Sequence, residues 1–169
     1  MTHEVIAAAL TFGISLGLGA PVFAQAPVTG AADPESLFTD EDPVLHANKQ
    51  IVLHVVRDLL EANHWSDAPQ YISERYIQHN PNVASGLAPV MKFFGSRTPG
   101  VIPDRSSWKT KVVAVLADGD LVTVATAREL PDPRNAGKTY TTAWFDMWRI
   151  KDGKVDEHWD PATIPPPQK

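Results

Sequence analysis

The dominant hydrophobic period of the chain changes between Phe94 and Lys109, and that switch restricts what it can fold into. Before it, apolar residues recur at helical intervals; after it they alternate as in strands. Residues 44–63 carry Val52, Val55, Val56 and Leu59 on one stripe, with Arg57, Asp58 and Glu61 opposite, which predicts an amphipathic helix. Residues 67–73 read as a short second helix with Ser66 as its N-cap. Residues 75–79 read as a short strand running into the Asn80-Pro81 turn. Leu87, Val90, Met91 and Phe94 stand at i, i+3, i+4 and i+7 and predict a third helix. Pro89 is tolerated in its first turn, where backbone N–H groups lack helical partners.

Two hairpins are then expected. Residues 109–116 and 121–129 join through Asp118-Gly119, and residues 140–150 and 154–159 join through Asp152-Gly153. Helices first and strands second predict an α+β domain with a mostly antiparallel sheet and helices over one face. The domain is expected over 43–162, followed by a Pro-rich tail, 163–169, along the surface.

The N-terminus has a different character. Val5 to Phe23 is an apolar run, followed by small residues at Ala24 and Ala26. This is a signal-peptide pattern, so export to the periplasm or the medium is expected, with removal of residues 1–24. Cleavage after Ala24 is preferred over Ala26, because Pro27 makes the bond after Ala26 a poor substrate. A membrane anchor is the alternative, although Gly13, Gly17, Gly19 and Pro21 interrupt the run. The segment Met1-Thr2-His3-Glu4 lacks the usual Lys or Arg. Residues 25–42, rich in small, acidic and proline residues, read as a flexible linker.

Composition removes several function classes. A net charge of −5 without any basic run argues against nucleic acid and, after cleavage, against membrane as partners. The absence of cysteine excludes disulfides, thiolate metal sites and cysteine nucleophiles. No nucleophile-elbow, phosphate-loop or dinucleotide-binding motif occurs.

Three clusters remain as candidates for chemistry. In the first, Tyr76 to Pro81, His79 beside a turn is a potential acid or base; the alternative is that His79 and Asn80 only satisfy turn backbone. In the second, alternation puts Trp144, Asp146 and Trp148 on one strand face. A carboxylate between two tryptophans is costly in a solid core, and the tryptophans are costly in water. An apolar pocket holding one functional carboxylate reconciles both, and an ion pair with a nearby base is the alternative. In the third, His158 and Asp160 share a face, with Glu157 and Trp159 opposite. The spacing matches no metal motif, so no metal or other cofactor is expected. His46, His54 and His64 read as solvated or capping groups around the first helix.

Residues 76–81 (YIQHNP), the Ala-Asp-Gly-Asp turn at 117–120 and residues 145–160 (FDMWRIKDGKVDEHWD) resemble the SnoaL-like polyketide cyclases, in a branch described as aldol-condensation enzymes. This family lies in the nuclear transport factor two-like superfamily, and the resemblance spans about residues 45–162. It implies a strongly curved sheet wrapped with helices into a cone around a pocket. It further implies cofactor-free aldol or related proton-transfer chemistry on a small apolar carbonyl compound. Asp146 would be the principal acid/base, with His79, His158 and Asp160 as proton partners or anchors. Tyr76, Asn80, Trp144 and Trp148 would line the ligand pocket. A non-catalytic binding protein, or a domain forming a homodimer through its sheet, remains open, because fold does not choose among these.

Overall fold

The computed structural model describes residues 25–166, so the expected signal segment and its cleavage point lie outside the described residues. Helix α1 covers Pro43–His54 and continues as a π-helical stretch, Val55–Glu61. Asp42 caps it, its carboxylate accepting from the N–H groups of Val44 (2.8 Å) and Leu45 (3.2 Å), with Pro43 pre-set for the first turn. The predicted stripe is the buried one: Val52, Val55, Val56 and Leu59 all lie in the core.

A 3₁₀ turn at Trp65–Asp67 leads into α2, Ala68–Tyr71. This second helix is shorter than expected, and Ser66 is not its cap: Asp67 precedes it, without a side-chain capping bond. The chain leaves the helix early because Ile72 pairs with Val155, so strand β1 runs over Ile72–Gln78 rather than starting at residue 75. Helix α3 is Leu87–Phe94.

Strands β2 (Val112–Asp118), β3 (Leu121–Pro131), β4 (Thr139–Lys151) and β5 (Lys154–Trp159) complete one sheet, in the order β1-β5-β4-β3-β2. β1 and β5 run parallel, and every other pair is antiparallel. β2 starts later than expected because the Glu61 carboxylate takes the N–H groups of Lys109 (2.9 Å) and Thr110 (2.8 Å) away from any ladder. The β4–β5 turn holds Asp152 and Gly153 at φ 51° and 73°, the left-handed pair that a tight type I′ hairpin requires. The sheet is curved and open, and α1 lies across its concave side.

Residues 25–42 do not behave as a free linker. The Val28 N–H donates to Thr141 Oγ1 (2.8 Å) and the Ala31 N–H to the Val112 carbonyl (2.7 Å). Gly30 sits where a Cβ would come within 2.9 Å of the Lys111 backbone. A 3₁₀ turn, Glu35–Phe38, then drives Phe38 fully into the core beside Trp108. Small and proline residues here permit close packing against the domain, which composition cannot distinguish from flexibility. The tail differs in a similar way: Asn82 Nδ2 donates to the Thr163 carbonyl (3.2 Å), and Ala162, Thr163 and Pro165 edge a cavity.

Candidate active site

The concave face encloses a cavity of about 760 Å³, within the range of small-molecule sites. Strand parity builds it. β3 and β4 pair Val124 with Asp146 and Thr126 with Trp144, while β4 and β5 pair Trp148 with His158. The inward residues are therefore Val124, Thr126 and Arg128 from β3, Trp144, Asp146 and Trp148 from β4, and His158 from β5. Tyr76 and Gln78 enter from β1, with Asn80 and Asp160 just beyond the strand ends. Val55, Val56 and Leu60, on the π-helical stretch, and Phe93 and Phe94 from α3 supply apolar walls.

At the centre, His158 Nε2 lies 3.2 Å from Asp146 Oδ1. The Trp144 indole N–H donates to the same oxygen at 3.2 Å. The His158 side chain is only 8% exposed and that of Asp146 18% exposed. Gln78 fixes the proton count. Its Oε1 accepts the Asn80 backbone N–H (3.0 Å), so that atom is the oxygen of the amide. The same oxygen faces His158 Nδ1 at 2.8 Å, so Nδ1 carries a hydrogen. One further proton must then lie between Nε2 and Asp146, because two bare lone pairs would otherwise face each other. The dyad is thus either imidazolium and carboxylate or imidazole and carboxylic acid. Asp146 Oδ2 has no hydrogen-bond partner among the described residues and remains free to meet a ligand.

Tyr76 stands buried beside this pair. Burial, together with the charges of Asp146 and Asp160, pushes its phenol far above its usual pKa, against a smaller opposing effect of its bond from Gln78. It stays a neutral O–H, accepting from Gln78 Nε2 (3.4 Å) and keeping its own proton to donate. Asp160 is occupied differently: it accepts from Asn80 Nδ2 (2.7 Å) and from the Ala162 N–H (2.9 Å). It braces the turn and the cavity rim. Arg128 lays its guanidinium over the Trp144 ring at 3.6 Å. Burial lowers its pKa, while Asp146 and Asp160 act in the opposite direction.

His79 is the residue that the structure does not bring into this site. It follows Gln78 on β1, and the alternation that turns Gln78 inward turns His79 outward. Its Nε2 meets Glu157 Oε1 at 2.8 Å on the convex face, its ring stacks on Trp159 at 5.0 Å, and its side chain is 43% exposed. It is therefore not a proton partner of Asp146. Tyr76, Asn80, Trp144, Trp148, Asp146, His158 and Asp160 all line the cavity. Gln78 and Arg128 were missed. Counting alternate residues back from Asn80 would have found Gln78, and the same count along β3 from Val124 puts Arg128 on the cavity face, although its contact with Trp144 has no local signal. Asp146, His158 and Asp160 offer three ligand-type atoms within 4.8 Å of one another, a grouping that sequence spacing did not reveal. His54 is partly solvent-exposed, and it also bonds Asp58 at 2.7 Å and stacks on Tyr71.

None of the curated proteins matches this chain by sequence. Among solved structures, it is similar to TsrD from Streptomyces laurentii, at 15% identity over 72% of this chain and 90% of that one, with a TM-score of 0.47. A protein of Jannaschia sp. CCS1 described as a SnoaL-like polyketide cyclase gives 18%, 73%, 91% and 0.49 for the same quantities. An epoxide hydrolase of M. tuberculosis gives 12%, 68%, 80% and 0.48. The sequence pattern of the SnoaL-like domain matches residues 52–158, from the core stripe of α1 to the histidine of the dyad. With well over half of its length matched, the chain belongs to the SnoaL-like domain family.

Proposed function

We propose that the cavity performs acid/base chemistry on a small, largely apolar carbonyl compound, with Asp146 as the proton-transfer group. The single observation that carries this is the 3.2 Å contact of His158 Nε2 with Asp146 Oδ1, with Oδ2 left without a partner among the described residues. In its carboxylate form, Oδ2 takes a proton from the carbon next to the carbonyl. Negative charge then develops on the carbonyl oxygen, and the Tyr76 O–H donates to it. The resulting enolate either attacks a second carbonyl, as in an aldol closure, with the alkoxide so formed taking the proton from Asp146, or takes the proton back from Asp146 at another carbon. Phe94, Trp144 and Trp148 give the cavity apolar walls that fold the substrate into a reactive conformer.

The contrast between Asp146 and Asp160 favours catalysis over simple binding. Both Asp160 oxygens are tied to neutral donors, whereas Asp146 holds a proton partner and a free oxygen. The same proposal includes export: sequencing of protein recovered outside the cytoplasm should begin at Gln25, and full-length protein in the membrane fraction would favour an anchor.

The enzymatic step is tested without knowing the substrate. The protein is incubated in D₂O with a panel of aryl ketones and diketones, and exchange of the α-hydrogens is followed by NMR. Exchange that survives EDTA and disappears in Asp146→Asn supports the proposal. Exchange that needs an added divalent cation would recast Asp146, His158 and Asp160 as a metal centre. Absence of exchange, with a ligand co-purifying in the cavity, would leave a binding protein.

A further inference from the structure

The protein is acidic overall, yet the rim of its cavity collects cations. Arg128, Lys109 and Lys111 all line it. None of the three side chains has an ion-pair or hydrogen-bond partner among the described residues, in contrast to Arg57, Arg75, Arg105, Arg134 and Arg149, which all pair with carboxylates. Arg128 is also held in place. Its guanidinium carbon lies 3.6 Å from the centroid of the Trp144 ring, a cation–π contact that holds the group at the cavity while leaving its N–H donors without a partner among the described residues. The two carboxylates of the cavity act on Arg128 through space, but neither forms an ion pair with it. Asp146 is engaged by His158 and Trp144, and Asp160 by Asn80 and Ala162. A planar, partnerless donor fork above an apolar cavity matches a carboxylate attached to an apolar body.

We propose that Arg128, assisted by Lys109 and Lys111, seats the carboxylate of an organic acid whose apolar part fills the cavity. This rests on the carbonyl-substrate proposal and narrows the substrate class to oxo acids. Anchoring the acid at the rim sets the distance of its carbonyl from Asp146 and selects which carbon loses its proton. The two exposed lysines draw anions toward the mouth and make capture sensitive to salt.

The test compares 2-naphthoate, 4-phenylbutanoate and 2-oxo-4-phenylbutanoate with their methyl esters, by calorimetric titration of the full protein at low and high salt. The acids are expected to bind at least about tenfold more tightly than the esters, as fits a charge-assisted hydrogen bond. Arg128→Met, which keeps the apolar stem, should erase the preference, and Arg128→Lys should retain part of it. Asp146→Asn should keep the preference even where it abolishes proton exchange, so loss of the catalytic proposal and loss of the acid subsite can be told apart. Equal binding of acids and esters, or a preference that survives Arg128→Met in a folded variant, overturns the subsite and leaves the exchange chemistry standing. Binding of no probe overturns it as well.

Discussion

The two faces of the β4–β5 ribbon carry nearly the same residue types to different ends. On the concave face a histidine, His158, meets a carboxylate, Asp146; its ring stacks on Trp148, and an arginine, Arg128, lies over Trp144. On the convex face His79 meets Glu157, stacks on Trp159, and Arg149 stands over the same ring at 5.6 Å. The outer cluster is closed on itself: Arg149 bonds Glu157 (3.0 Å) and Asp120 (2.6 Å), and both Glu157 oxygens are used. The inner cluster is incomplete: a carboxylate oxygen and a guanidinium face a cavity without a partner among the described residues. Residue type therefore does not distinguish a site from a surface ion-pair network. Curvature does, by deciding which side of the ribbon encloses space.

The sharpest way to break this comparison is to neutralise the corresponding carboxylates. Asp146→Asn should lower the rate of α-proton exchange by about 100- to 10,000-fold, the usual cost of losing a general acid/base. Glu157→Gln should leave the rate close to wild type, and equal losses would place the chemistry on the wrong face. Removing the oxyanion donor comes next: Tyr76→Phe should cost about 100- to 1,000-fold in kcat with substrate binding largely kept.

A third effect appears in stability rather than rate. Gln78→Leu strands the buried Nδ1–H of His158 and the Asn80 N–H, so urea unfolding should show a loss of about 1–3 kcal/mol. His79→Gln, whose partners also reach water, should cost less than about 1 kcal/mol.

The smallest effect is that of acid on the convex cluster. The His79 hydrogen bond holds the Glu157 carboxyl below its usual range; partial burial opposes this, and Arg149 reinforces it. A depressed folded-state pKa contributes stability that is present above the unfolded value and is lost as pH falls through the folded one. Wild type should therefore exceed Glu157→Gln in stability at neutral pH by less than about 1 kcal/mol. The difference should close in acid below the ordinary glutamate range, and at high salt.

The placement of His79 shows where sequence reading stops. Its neighbours Tyr76, Gln78 and Asn80 enter the cavity by strand parity, and parity alone would have sent His79 outward. Its family-like motif position outweighed that local rule. Trp144, Asp146 and Trp148 were legible because alternation is a property of the strand itself. The contact of Arg128 with Trp144 was not, because nothing in residues 121–131 shows that its tip would meet a ring on the neighbouring strand.

By itself the sequence determined the switch from helix to strand, the two Asp-Gly hairpins, the buried stripe of α1 and the common face of the Asp146 tryptophans. These depend on backbone geometry and on neighbours a few residues apart. Only the tertiary structure decided which face was concave, that Phe38 joins the core, that Asp160 is braced while Asp146 is not, and where the last proton of the dyad must lie. Each of these depends on partners from another strand or from a distant segment: Gln78 is 80 positions from His158. Such pairs are set by how the sheet bends and closes over its cavity, and no local pattern encodes that bend.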